Sequence, residues 1–186
     1  MERSSRRLGA EDWARAALDA LGEGGVGAVR VEALAPRVGA SKGSFYWHYA
    51  DRAALIDAAL ALWERESTED VIAELEPIAD PAARLRELFA RAYGEPEAGR
   101  VDAGLAAHAD DPQVGPVLRR VTKRRLAFME SIYRELGHTP ARARHRALAV
   151  YSTYLGLFTV RLAAPDAVPE PLDEHLDELF RLLDVP

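Results

Sequence analysis

Residues 31–49, VEALAPRVGASKGSFYWHY, constrain the fold more than any other stretch of this chain. The pattern predicts two short helices, over about 31–38 and 42–48, that cross at a tight turn. Such a pair needs a small residue where the helices touch, and Ala35 supplies it. The turn needs a residue that tolerates positive φ, and Gly39 supplies that. The spacing therefore predicts a helix-turn-helix unit.

The side chains of this unit divide into an inner and an outer set. Leu34 and Phe45 point into a shared core, and Ser41 is placed to cap the second helix through its hydroxyl. With Phe45 inward, the remaining polar and polar-tipped side chains cannot all be buried. The outer set consists of Lys42, Ser44, Tyr46, Trp47 and His48.

The outer side chains have the chemistry of a DNA-reading surface. Lysine and histidine donate to phosphates or base edges, while tyrosine and tryptophan rings lie against a sugar or a thymine methyl. Gly43 has no side chain, so the helix start can approach the DNA backbone closely. The alternative is that the rings fill the core of a small three-helix unit. We favour the core for Phe45 and Tyr49, and the surface for Tyr46, Trp47 and His48.

The rest of the chain has the helical period throughout, and no window alternates as a strand does. The sequence therefore predicts an all-α fold of about nine helices. Besides the two above, we expect helices from Trp13 to the GEGGVG segment, over 52–75 with Asp51 as N-cap, over 81–93, 100–108, from Asp111 to Leu136, over 140–163 after a Thr139 N-cap, and over 172–183. Short helices give way to long ones near residue 50. We expect a helix-turn-helix DNA-binding domain over 1–50 and a helical regulatory and dimerisation domain over 51–186.

Charge and composition limit the possible classes of protein. The net charge is −6, yet residues 1–52 carry eight Lys/Arg against seven Asp/Glu, with a basic arm of Arg3, Arg6 and Arg7. An acidic body with such an end can still bind DNA through that end. There is no cysteine, no apolar run of membrane length and no signal-peptide pattern. We therefore expect a cytoplasmic protein with no membrane partner.

Residues 10–63 resemble the DNA-binding domain of the TetR family of bacterial repressors. The run GASKGSFYWHYADRAAL is similar to the family signature, which has Gly-x-Ser, a small residue, an apolar residue, Tyr, two aromatic or His positions, and Lys/Arg before Ala-Leu. The resemblance implies that Arg52 anchors a phosphate from the fourth helix. It also implies that groove and phosphate contacts are made by Lys42, Gly43, Ser44, Tyr46, Trp47 and His48, and we add Ser41 at the helix start.

Two residues depart from the family pattern. Arg30 stands where the family usually has Thr or Ser as the cap of the second helix. Arginine cannot cap through a side-chain oxygen, but it can bind phosphate, so Arg30 joins the expected DNA-binding set. Pro36 lies inside that helix and forgoes one amide hydrogen bond.

The last two helices carry heptad-like stripes, which are typical of helices that pack at about +20°. The first stripe is formed by Leu148, Tyr151, Leu155, Phe158 and Leu162. The second is formed by Leu172, Leu176, Leu179 and Leu183. One stripe alone would indicate intramolecular core. Two adjacent stripes favour a symmetric four-helix dimer interface, with Gly156 permitting close approach, and the TetR resemblance implies the same. Two reading heads suit a palindromic site.

The resemblance also implies a cavity for a small-molecule effector among the central helices. Candidate lining residues are Phe89, Tyr93, His108, Phe128, Met129, Tyr133 and Tyr154. For any one of them, ordinary core is the competing interpretation. His108 is also compatible with a structural histidine whose ring nitrogens are satisfied.

The run Arg119, Arg120, Lys123, Arg124 and Arg125 spreads over most of a helix surface. We interpret it as a solvated face that pairs with acidic residues of the same body. It is not assigned to DNA.

We therefore expect a homodimeric repressor that binds double-stranded operator DNA and is released by a small-molecule effector of unknown identity. One alternative is a dimeric DNA-binding protein with no effector. Another is a small all-α enzyme, but the sequence has no H-E-x-x-H, P-loop or G-x-G-x-x-G motif. We expect no cofactor, no metal site and no catalytic residue.

Overall fold

A computed structural model describes residues 8–94, 96–169 and 171–182 of the chain. Within these ranges the regular structure is entirely helical, which confirms the predicted all-α class. The basic arm of Arg3, Arg6 and Arg7 and the interface candidate Leu183 lie outside the described residues.

The helices follow one another with short connections. They are α1 (Ala10–Ala28), α2 (Val31–Val38), α3 (Lys42–Phe45), α4 (Arg52–Glu64), a π-helical turn (Arg65–Glu69), α5 (Asp70–Leu75), α6 (Pro81–Gly94), α7 (Pro96–Ala106), α8 (Val114–Glu135), α9 (Pro140–Ala163), a 3₁₀ turn (Pro165–Ala167) and α10 (Asp173–Leu182). Because α4, the π-helical turn and α5 are continuous, the described residues form nine separate helical segments. This agrees with the predicted number.

Local capping explains several helix ends. Asp51 Oδ1 accepts the backbone N–H of Ala54 at 2.8 Å, and Thr139 Oγ1 accepts that of Arg142 at 3.4 Å. Both predicted N-caps are therefore confirmed. Gly137, with φ 91°, follows α8 in the left-handed region that favours glycine.

The first helix runs further than the sequence predicts. α1 continues through the GEGGVG segment to Ala28, with non-helical backbone only at Gly24 and Gly25. Gly25 has φ 64°, and a Cβ there would overlap the ring of His108. A bend at two glycines therefore replaces the expected helix end, and the chain behind it packs against the segment that follows α7.

Two clusters of buried side chains form the core. The first surrounds α1 to α4 and extends to Val101 and Leu105 on α7 and to Val121 on α8. The second joins α5, α6, α8, α9 and α10 around Phe89 and Tyr133. The first cluster crosses residue 50, and the domain boundary there stays a prediction.

Helix α7 is held between α1 and α9 by glycines. A Cβ on Gly104 would overlap the carbonyl oxygen of Gly22, and a Cβ on Gly99 would overlap the ring of Phe158. The missing side chains allow backbones to approach closely. As a result α7 lies deep in the molecule, and Asp102 on it is buried.

Candidate nucleic-acid interface and ligand cavity

Phe45 anchors the helix-turn-helix unit from inside. It is buried, and its ring lies edge-on to Trp13 at 5.4 Å and stacks on Tyr49 at 5.9 Å. The Tyr49 hydroxyl donates to the carbonyl oxygen of Ala10 at 2.8 Å. These contacts fix the orientation of α3 against α1.

The two rings between those anchors point outward. Tyr46 is 58% exposed and Trp47 is 85% exposed, although one edge of the Tyr46–Phe45 pair still packs at 5.0 Å between ring centroids. Lys42, Gly43 and His48 are exposed beside them. The structure thus places the two large amphipathic rings beside a lysine, a glycine and a histidine on the outer surface of α3 and the residues that follow it.

The serine hydroxyls are used within the turn itself. Ser41 Oγ accepts the backbone N–H of Ser44 at 3.2 Å, and Ser44 Oγ donates to the carbonyl oxygen of Ser41 at 2.8 Å. Gly39, with φ 69°, sits at the left-handed position after α2. The predicted helix cap and glycine turn are confirmed. In the free protein the Ser41 hydroxyl caps α3, and a DNA contact by Ser41 stays a prediction.

Two basic residues of the expected DNA-binding set, although exposed, make polar contacts to other residues of the same chain. Lys42 Nζ lies 2.5 Å from Glu32 Oε1, and this hydrogen bond raises the pKa of Lys42. Arg52 Nε donates to the carbonyl oxygen of Val29 at 2.6 Å, and its Nη2 donates to that of Val26. Arg52 therefore satisfies carbonyls at the end of α1, although it remains exposed. Arg30, the N-cap of α2, is exposed and makes no side-chain cap hydrogen bond.

A cavity of about 460 Å³ lies between α1 and the helices that follow residue 50. Five of the seven candidate residues are at its wall: Phe89, Tyr93, Phe128, Met129 and Tyr154. The aromatic members contact one another. Phe89 stacks on Tyr93 at 5.8 Å, and Tyr154 lies edge-on to Tyr93 at 5.8 Å.

The other two candidates do not line this cavity. His108 follows α7, where its Nδ1 lies 2.9 Å from the carbonyl oxygen of Gly104 and its ring covers Gly25. Tyr133 is fully buried on α8, with the guanidinium of Arg146 over its ring. Tyr133 is thus a core residue, and half-buried His108 has the structural role that was its competing interpretation.

A buried carboxylate joins three helices at the cavity wall. Asp102 on α7 accepts a hydrogen bond from Trp63 Nε1 at 2.6 Å and from the Tyr154 hydroxyl at 3.0 Å. Its Oδ2 also lies 2.5 Å from Nη1 of Arg125. The charge of this carboxylate is thus balanced and its oxygens are satisfied away from water.

Arg125 carries the network to the π-helical turn. Its Nε donates to Thr68 Oγ1 at 2.8 Å, and its Nη2 donates to Ser67 Oγ at 2.9 Å. The guanidinium also lies over the Trp63 ring at 5.4 Å. The expectation of a solvated basic run is therefore wrong for Arg125, while exposed Arg120 on the same helix does pair with Glu64.

Burial and the Asp102 carboxylate shift the pKa values of two tyrosines and one arginine at the cavity wall. Burial raises the pKa of the Tyr93 hydroxyl. Burial and then the Asp102 carboxylate raise the pKa of Tyr154. Burial alone would disfavour the charge of Arg125, but Asp102 more than offsets it, so the pKa of Arg125 is raised. At neutral pH both tyrosines are neutral and the guanidinium is charged.

The sequence reasoning missed this network, although a signal for Arg125 exists. The apolar stripe of α8 passes through Val121 and Phe128, seven residues apart, and position 125 falls on the same face between them. A cation on a core-facing position indicates a buried partner. Asp102 is the one polar residue in the otherwise small and apolar run VDAGLA of α7, which indicates the same.

The two stripes assigned to the dimer interface divide between surface and core. Leu148 and Leu162 are 52% and 55% exposed, and Leu155, Leu172 and Leu176 are half-buried. Tyr151, Phe158 and Leu179 are buried within the subunit, which corrects their place on the surface seam. The members of the α9 stripe are 3.5 residues apart on average, so they alternate between two adjacent faces of the helix. Every second member therefore points into the subunit.

Residues 14–59 match the family profile described as bacterial regulatory proteins, tetR family. No curated protein matches the sequence. None of the described helices is long and apolar enough to cross a membrane. In the same part of the chain, no group of His, Cys, Asp and Glu side chains is arranged to hold a metal ion.

Several solved structures share the fold over most of the chain. A TetR-family transcriptional regulator from Agrobacterium tumefaciens superposes with a TM-score of 0.71 at 21% identity, covering 83% of this chain and 87% of that one. A protein from Saccharomonospora viridis, solved in complex with choline, gives 0.72 at 17% identity, covering 92% and 95%. The transcriptional regulator FadR from Bacillus subtilis, solved in complex with stearoyl-CoA, gives 0.70 at 15% identity, covering 93% and 96%.

Proposed function

We propose that the chain, whose residues 14–59 match the tetR family profile, is a homodimeric repressor whose operator affinity falls when a small molecule enters the cavity. The protein acts in the cytoplasm, where the operator DNA is. Lys42, Tyr46, Trp47 and His48 contact the DNA, and Gly43 lets the backbone approach. The described surface supports this assignment because these residues are exposed together.

One observation carries the proposal: a single continuous helical segment, residues 52–75, joins the reading head to the cavity wall. Arg52 at its start holds the carbonyl oxygens of Val26 and Val29 at the end of α1. Trp63 and Ile72 further along line the cavity. A ligand that displaces these side chains changes the position of the segment and therefore of the reading head.

The coupling is a shift between two populations. A ligand that binds the DNA-incompetent arrangement more tightly lowers operator affinity by the ratio of its two affinities. A coupling free energy of about 1–3 kcal/mol, or roughly 5- to 150-fold in affinity, is typical of such systems. The reading residues themselves need not change.

The neighbouring structures support a small-molecule ligand for a protein of this fold. One neighbour was solved with choline and another with stearoyl-CoA, two molecules that differ in size and charge. They support small-molecule binding without giving the ligand of this chain.

An exposed apolar face supports the dimer. Leu148 and Leu162 on α9 and Leu182 on α10 are large apolar side chains that remain exposed in the subunit. A Cβ on Gly156 of α9 would meet nothing within the subunit, so the glycine is not required by the fold itself. A second copy of the chain covers this face, and the two reading heads then address a palindrome.

Operator binding tests the proposal. A gel-shift assay with the DNA upstream of the protein's own gene compares the wild type with Tyr46→Ala and Lys42→Ala. Both variants are expected to bind a specific fragment more weakly. Glu76→Ala, an exposed residue at the end of α5, is the control and should bind as the wild type does. Wild-type affinity in both Tyr46→Ala and Lys42→Ala would refute the assignment of the reading surface.

A regulator without an effector makes a different prediction. Fluorescence anisotropy of a labelled operator then shows no release by any small molecule that binds the protein. Release by a compound that binds wild type, and loss of both binding and release in the cavity-filling variant Ala92→Phe, supports the effector-responsive repressor instead.

A further inference from the structure

We propose that the cavity takes a hydrophobic organic cation, an amine or quaternary ammonium group carried on an apolar body. This rests on the proposed function, because it identifies the chemical class of the effector. The inference follows from the charge of the exposed lining, the state of the arginines, and the aromatic walls.

The exposed part of the lining is acidic. Its carboxylates are Asp19, Glu66, Asp70, Glu74 and Glu97, against the guanidinium groups of Arg15 and Arg91. Arg65 and Arg100, beside the opening, pair with Asp70 and Glu97, so the excess amounts to one carboxylate. Deeper in the wall, Asp102 and Arg125 cancel each other. An opening with excess negative charge and low-dielectric walls concentrates cations and repels anions.

No arginine among the described lining residues is available to an anion. Arg15 pairs with Glu66 at 2.7 Å, and Arg91 pairs with Glu87 at 3.0 Å and also with Glu74. The guanidinium of Arg125 is occupied by Asp102 and the π-helical turn. An anionic ligand would therefore have to break an existing ion pair, leaving a carboxylate without its partner.

One carboxylate of the lining lacks an ion-pair partner. Within the described residues Asp19 on α1 makes no ion pair within 4 Å, unlike Glu66 and Glu74. Burial raises the pKa of Asp19, and the more distant Arg100 only partly opposes this. A cation bound beside it would restore the interactions that its carboxylate loses on desolvation.

The inner walls suit the apolar body and the charged head. Phe128, Met129 and Val150 supply apolar surface. Phe89, Tyr93 and Tyr154 form a packed aromatic cluster at the wall, and such rings attract a cation wherever a face is open to the cavity. Tyr93 is only 4% exposed, yet its hydroxyl has no hydrogen-bond partner within the described residues. Its oxygen is free to accept an N–H from an ammonium group.

A matched series of probes tests the charge requirement. Isothermal titration calorimetry on the full chain compares phenylbutyl-trimethylammonium, phenylbutanol and phenylbutyrate, which share one apolar body and differ in charge. The cation is expected to bind at least about tenfold more tightly than the carboxylate, which corresponds to about 1.4 kcal/mol. Its advantage should shrink as salt is raised, because the exposed carboxylates are screened.

Variants locate the source of the preference. Asp19→Asn is expected to weaken binding of the trimethylammonium probe several-fold and to leave that of phenylbutanol unchanged. Glu76→Gln removes a carboxylate that does not line the cavity and should change neither. Tyr93→Phe should weaken phenylbutylamine, which has N–H donors, more than the trimethylammonium probe, which has none.

The outcomes separate this inference from the proposed function. Phenylbutyrate or phenylbutanol binding as tightly as the cation overturns the ligand class, and so does the absence of binding by the cation. Operator anisotropy is measured in parallel with each probe. Release by an anionic or neutral probe would retain the ligand-responsive regulator while rejecting the cation. Failure to bind any operator fragment would instead reject the regulator itself, whatever the probes do.

Discussion

Asp102 Oδ2 lies 2.5 Å from Nη1 of Arg125, and both side chains are withdrawn from solvent. The same carboxylate accepts hydrogen bonds from Trp63 and Tyr154, so α4, α7, α8 and α9 meet at one charge. A buried ion pair adds little to stability as a whole, but removing one partner is costly. The contact therefore determines how the helices around the cavity are arranged relative to one another.

Arg125→Met should lower the free energy of unfolding by about 3–5 kcal/mol, because Asp102 is left as an uncompensated buried charge. Urea denaturation measures the change. Arg125→Met/Asp102→Asn should recover at least about 1 kcal/mol, since the charge is gone while an oxygen remains for Trp63 and Tyr154. Arg120→Met, on the same helix but in an exposed pair, should cost less than about 1 kcal/mol. Equal losses in Arg125→Met and Arg120→Met would contradict the buried role.

Gly104→Ala should destabilise the protein by about 1–3 kcal/mol, because its Cβ overlaps the carbonyl oxygen of Gly22 and α1 must move from α7. Thermal unfolding followed by circular dichroism reports the loss. Gly27→Ala is the matched control, since a Cβ there meets nothing and the helix gains from the substitution. A Gly104→Ala protein as stable as Gly27→Ala would place α7 elsewhere.

Trp47→Ala should weaken specific operator binding by about 1–3 kcal/mol while changing the free energy of unfolding by less than about 0.5 kcal/mol. The reason is its exposure, which leaves DNA as the only surface that the ring can cover in the proposed complex. Anisotropy titration and urea denaturation of the same sample provide the two readouts. A variant that loses stability but keeps its operator affinity would show that Trp47 is a packing residue of the core.

Lys42→Ala should reduce the slope of log affinity against log salt by about 1, as expected for one phosphate contact. In the free protein Lys42 pairs with Glu32, and both groups are exposed, so exchanging this partner for a phosphate costs little. Titrations at several salt concentrations measure the slope. An unchanged slope would mean that Lys42 keeps Glu32 in the complex.

Leu148→Arg/Leu162→Arg should convert the proposed dimer to a folded monomer, because charge is placed on the exposed face of α9 without touching the core. Sedimentation velocity gives the mass and circular dichroism gives the fold. Phe158→Arg is a poor choice for this purpose, since Phe158 packs against Gly99 and the variant would unfold. A dimer that survives the double substitution would place the interface on another face.

The predictable features were those fixed by neighbours in sequence. Asp51 and Thr139 cap their helices, and Gly39 turns the chain, because each acts on backbone groups within three residues of itself. The inward anchor Phe45 followed from the same short-range spacing. For such features the sequence contains both partners at a known separation.

Features that depend on distant partners were not predictable in the same way. Asp102 and Arg125 are 23 residues apart on different helices, and neither residue reveals the other. His108 looked like a pocket residue because nothing local shows that Gly25 lies beneath its ring. Likewise a 3.5-residue stripe on α9 cannot distinguish its inner face from its outer face, so Phe158 and Leu162 seemed equivalent.

The π-helical turn Arg65–Glu69 has a consequence for how a signal can pass along the chain. Its closing hydrogen bond runs from Asp70 N–H to the carbonyl oxygen of Arg65, one residue further than in an α-helix. Restoring α-helical spacing there would shift one end of residues 52–75 by about 1.5 Å and about 100° against the other. Any change that removed this turn would therefore move the cavity end of the segment against the reading head by a fixed step, set by the geometry of a single residue.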